Sequence, residues 1–168
     1  MHIFIVVTTE EDNKKQVFFK EYKNLNQIKK TLKRVKEYHT SNIQVSILGK
    51  FPKNNSDDMK LLEKDIRDMH VYWRKVLGTS FDFGSFKNPE VGVVFIAGPL
   101  TSLFLNDING KSLGTMTTGI YGVLRGLGAN LFQAETYLKA LNNNEYLLIM
   151  RGFDYDLYGM ENLLKKND

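Results

Sequence analysis

The chain has no cysteine among its 168 residues. That excludes disulfides, thiolate zinc sites and thiol catalysis from it. It also lacks a long apolar run. The longest uncharged stretch, Val91 to Asn106, stops at Asp107 and falls short of the about 20 apolar residues that a spanning helix needs. Charge of one sign is in only mild excess, with 23 Lys and Arg against 19 Asp and Glu. A net +4 permits weak attraction to anionic surfaces but does not call for a specific nucleic-acid partner. The opening Met1-His2-Ile3-Phe4-Ile5-Val6-Val7 turns acidic at Glu10, without the basic start and small-residue cleavage site of a signal peptide. A cytoplasmic location is the expectation.

Site motifs are equally scarce. His2, His39 and His70 are far apart and lack metal-ligand spacing such as H-E-x-x-H. Gly110-Lys111-Ser112 resembles the end of a P-loop. The position five residues before Gly110 is Leu105 rather than glycine, so the segment reads as a polar turn and helix start. Gly126-x-Gly128 follows a helix, whereas the dinucleotide fingerprint needs a strand there. Asp154-x-Asp156 reads as a turn and the cap of the last helix. No catalytic, cofactor-binding or metal-binding residue is expected, and no cofactor.

What the chain does contain is an ordinary globular composition, 42% hydrophobic and 25% charged. Strands are expected at Ile3 to Val7, at 42–48, at Val91 to Ala97 and at Tyr146 to Met150. Residues 16–22 fit neither period, and 79–90 read as a Gly/Ser/Asn/Pro loop. A helix capped by Asn24 carries Leu25, Ile28, Leu32 and Val35 on one face and lysines on the other. A second runs from about Asp57 to Leu77 and stops at Gly78. Residues 112–125 look weakly helical. Asn130 and Gln133 form a capping box for a helix that buries Ala134, Tyr137, Leu138 and Leu141. A last helix from about Asp156 buries Leu157, Met160 and Leu164. The expectation is one α+β domain over 1–168, a ferredoxin-like βαββαβ antiparallel sheet with helices on one face. The helix at about 57–77 is an insertion in that plan.

The succession Val93-Val94-Phe95-Ile96-Ala97-Gly98-Pro99-Leu100, a glycine-spaced segment, Gly126-Leu127-Gly128, a helix with Ala134, Glu135 and Tyr137, and the strand Tyr146 to Arg151 resembles a known family. It is similar to the bacterial heat-induced and general stress proteins, whose biochemical function is unknown. The resemblance covers residues 91–152 and, in outline, 1–50. It implies a stress-associated or regulatory role and supplies no catalytic residue.

Three constellations carry functional expectations. Met59, Leu62, Ile66, Met69, Trp73 and Val76 recur at alternating steps of 3 and 4, a seam of about two and a half heptads. It serves either to pack the helix on its own domain or to join copies of the chain. Phe81, Phe83, Phe86 and Phe104 could line an aromatic pocket for a small ligand. The glycine-spaced 110–126 segment, with Leu113, Met116, Ile120 and Leu124, leaves open a weak membrane-surface contact. The leading expectation is a non-enzymatic, self-associating regulatory or stress protein, a homo-oligomer. The alternative is a small-ligand sensor.

Overall fold

The computed structural model describes residues 15–38, 42–52, 57–78 and 80–165. The strand expected at Ile3 to Val7 lies outside these residues. Within them the chain is α+β, with a five-stranded antiparallel sheet and six α-helices. In chain order these are β1 (Gln16–Tyr22), α1 (Leu25–Glu37), β2 (Gln44–Lys50), α2 (Met59–Leu77), β3 (Phe83–Asn88), β4 (Gly92–Ala97) and α3 (Thr101–Phe104). A small hairpin of β5 (Asp107–Ile108) and β6 (Lys111–Ser112) follows. Then come a 3-10 turn (Leu113–Thr115), α4 (Gly119–Gly126), α5 (Leu131–Asn142), β7 (Tyr146–Gly152) and α6 (Asp154–Lys165).

The five strands lie in the order β1-β7-β2-β4-β3. The last strand therefore sits between β1 and β2, with Gln16 opposite Gly152 on one side and Gln44 opposite Arg151 on the other. This corrects the four-stranded expectation in two ways. Gln16–Tyr22, left unassigned by its mixed period, is a strand. Phe83–Asn88, which reads as a loop, is the edge strand beside β4. Its turn residues have tertiary reasons. Gly84 has no room for a Cβ beside the Leu105 side chain. The Asn88 amide donates to the carbonyls of Gly114 and Met116 while its oxygen accepts from Glu90 and Val91 N–H.

Helices cover both faces of the sheet, not one. Leu48, Val94, Ile96, Leu147 and Ile149 point to a face closed by Phe104 of α3, Ile120 and Leu124 of α4, and Ala134 and Leu141 of α5. Ile47, Val93, Phe95, Ala97, Leu148 and Met150 point to the opposite face. There Ile28 and Leu32 of α1, Trp73 of α2, and Leu157 and Met160 of α6 meet them. A strand buried on both faces needs apolar side chains at every position, which is why β4 and β7 are continuous apolar runs. The 57–77 helix is thus a regular member of one helical layer.

The Ala97-Gly98-Pro99-Leu100 element makes the turn from β4 into α3. Gly98 has φ +112, and a Cβ there would run into the Val45 carbonyl and Ser46. Leu100 N–H donates to the buried Ser46 Oγ at 3.1 Å, and Thr101 Oγ1 donates to the Gly98 carbonyl at 2.8 Å. By contrast, Gly122 in α4 is exposed and helical, with nothing near its missing Cβ. Two substitutions of the same chemistry should therefore act oppositely. Gly98→Ala should destabilise by more than about 1 kcal/mol, because neither the φ nor the space suits alanine. Gly122→Ala should stabilise by up to about 1 kcal/mol through helix propensity. Urea unfolding of both variants checks the pair.

Candidate functional site

The heptad-spaced face of α2 is turned to the chain's own sheet. Trp73 is 0% exposed, edge-on to Tyr72 at 5.1 Å and 6.2 Å from Phe95. Leu62, Ile66, Met69 and Val76 pack partly buried around the same core, and only Met59, at 67% exposure, stands out. The Trp73 indole N–H has no hydrogen-bond partner among the described residues. The seam residues are therefore cover for β4 rather than a free face.

The four phenylalanines do not share one pocket. Phe81 and Phe83 lie on the α2 side, where His70 stacks on Phe83 at 4.8 Å and meets Phe81 edge-on at 5.7 Å. Phe86 and Phe104 stack on each other at 5.9 Å within the opposite core. Phe83 and Phe86 are three apart in a strand, an odd step that sends them to opposite faces.

The glycine-spaced segment is also turned inward. Ile120, Val123 and Leu124 are buried, and Leu113 and Tyr121 pack against the same core. Asn109 and Gly110 both have positive φ and form the tight turn of the β5–β6 hairpin, so Lys111-Ser112 begins a strand rather than a helix. No helix among the described residues is long and apolar enough to cross a membrane.

One surface escaped the sequence reasoning. Where β1 begins, it runs beside the first turns of α5 and α6, leaving a groove of about 800 Å³. Val17, Phe18, Phe19, Tyr137, Tyr155 and Tyr158 line it. Phe19 and Tyr137 rings lie 5.1 Å apart at its base, and Tyr155 stacks on Phe153 at 6.0 Å. Tyr155 and Tyr158 are each 70% exposed. The first turn of α5, whose Gln133 lines the groove, also exposes Leu131 and Phe132. The capping box of Asn130 and Gln133 fixes where that turn starts. Among the described residues no strand pairs with the outer edge of β1. Among the described residues the groove holds no paired nucleophile and base; its chemistry is apolar contact with polar tips, suited to docking. A signal was present in the sequence, since Tyr155 and Tyr158 fall off the buried Leu157, Met160, Leu164 stripe.

Next to the groove, burial and then the nearby Glu145 charge raise the pKa of Glu21. Burial and then the Glu21 charge raise that of Tyr137. The chain matches no family model, no curated protein and no solved structure.

A raised carboxyl pKa means the folded chain holds that proton more tightly than the unfolded chain. The contribution of Glu21 to stability is then present below the ordinary value of 4.5 and lost as pH rises through the folded value. Glu21→Gln should accordingly raise Tm at neutral pH, and its advantage over the parent should shrink on acidification. Thermal unfolding across pH 3 to 8, about the range in which carboxylates titrate, checks this.

Proposed function

We propose that the protein is a non-enzymatic module that works by associating with copies of itself through the face built from β1, α5 and α6. What carries this reading is the concentration of exposed aromatic side chains at that one place. A scattered exposed apolar residue needs no explanation, but a contiguous patch does. Tyrosine and phenylalanine beside a groove are the side chains that dominate binding energy in interfaces. A two-fold pair uses the same patch on each copy, so a groove flanked by exposed aromatic rings can meet its own counterpart. The stress-associated or regulatory part of the proposal rests on the resemblance of residues 91–152 to the heat-induced and general stress proteins. The α2 seam is left out of this proposal, because Trp73 is buried and Leu62, Ile66, Met69 and Val76 pack against the core.

Sedimentation at micromolar concentration should find an oligomer. Replacing Tyr155 and Tyr158 together by Ser should weaken association by about 30-fold or more, the equivalent of about 2 kcal/mol. Met59→Ser, on the exposed end of the seam, should leave association unchanged. A parent chain that stays monomeric throughout overturns the proposal.

A further inference from the structure

The other half of β1 borders a different cleft. Period two puts Phe19 and Glu21 on the α5 side of the sheet, and Lys20 and Tyr22 on the α1 side. On that second side β1, α1 and the end of α6, at Leu164, enclose about 680 Å³. Within the size range of small-molecule sites, the lining is cationic: Lys20 from the strand, Lys23 from the loop, and Lys30 and Arg34 from α1. Within α1, Gln27, Lys30 and Arg34 are spaced by 3 and 4, so one helical row faces the opening, with Lys23 just before the helix. Glu21 borders the cleft only through its place in β1, because its side chain belongs to the opposite face.

The floor is polar and ordered. Thr31, 5% exposed, donates its hydroxyl to the Tyr22 phenol oxygen at 2.9 Å. Lys20 Nζ stands 5.5 Å from the centre of the Tyr22 ring, which fixes that ammonium at the cleft wall. Among the described residues Lys23, Lys30 and Arg34 have no carboxylate partner. Around the helix, Lys29 and Lys33 line a second groove with Lys75, which raises the local positive potential further.

We propose that this cleft binds a small oligophosphate anion, held by Lys20, Lys23, Lys30 and Arg34. Several cations from two elements exceed what one carboxylate requires. A guanidinium fork among ammonium point charges suits phosphate oxygens. Among the described residues that line the cleft the one aromatic ring, Tyr22, is only 7% exposed, so the phosphate chain is the recognised part. The proposal is independent of assembly, since no residue that lines the cleft also lines the aromatic groove.

Titration calorimetry of the full chain with sodium tripolyphosphate tests it. Binding should be tighter than for orthophosphate and should weaken as salt rises. The double variant Lys30→Gln/Arg34→Gln should bind about tenfold more weakly or worse. Lys29→Gln/Lys33→Gln, with the same charge change on the neighbouring row, should stay within about threefold of the parent. Circular dichroism and Tm confirm that both variants fold. No binding by the parent, or equal losses in the two variants, overturns the proposal, the second outcome by reducing it to net charge. Flotation with phosphatidylcholine vesicles, with and without phosphatidylinositol bisphosphate, separates a headgroup from a free anion. Vesicle binding that tripolyphosphate displaces supports the same cleft. Vesicle binding that it leaves intact, without calorimetric binding, overturns it.

Discussion

The structure depends on burying both faces of β4 and β7. Neither strand has a polar side available for water: Val93 to Ala97 and Leu147 to Met150 are all inside. A sheet of this kind is stable only when helices close it above and below. Every other feature of the architecture follows from that demand. The seam of α2 is recruited because Phe95 and Ala97 need a cover on one side. Ile120 and Leu124 of α4 are recruited because Val94 and Ile96 need a cover on the other. The turn at Gly98 must be tight because Leu100 has to return at once over the sheet and bond to Ser46.

That demand also determines what remains on the surface. With the best apolar faces used in the core, the leftover aromatic side chains gather where β1, outermost on one side among the described strands, passes the starts of α5 and α6. The leftover cations gather along α1. One strand therefore separates two surfaces of different chemistry. Its first half borders the aromatic groove, and its second half borders the cationic cleft. Glu21 and Lys20 are adjacent in sequence and both border the cleft, while the alternation of the strand turns their side chains to opposite faces. The burial that raises the pKa of Glu21 and the charges that line the cleft are consequences of a single register.

Much of this was readable from residues, and the failures are instructive. Two cap residues announced themselves: Asn24 accepts from Gln27 N–H, and Asn130 with Gln133 completes the expected box. The buried stripes of α1, α5 and α6 followed from helical spacing. The two-layer cover was encoded in the continuous apolar character of β4 and β7, a pattern of two-sided burial that the one-faced plan ignored. β1 was obscured because Phe18 and Phe19 are adjacent and serve opposite faces. β3 was obscured because Gly84 answers to Leu105 and Asn88 to the Gly114 carbonyl, partners distant in sequence. Heptad spacing identified the apolar face of α2 but carries no information on whether the same chain or another covers it. The proposed sites were the least legible. A groove needs three elements brought together, and no linear spacing of Val17, Tyr137 and Tyr155 reveals that.

Native-state hydrogen exchange is the most direct measurement of two-sided closure. The amides of β2, β4 and β7 should exchange only with global unfolding, at one common free energy, while those of β1 and β3 open more readily. A β4 or β7 that exchanges as fast as the edge strands would contradict the account. So would a helical layer on either face that detaches while the central strands keep their full protection.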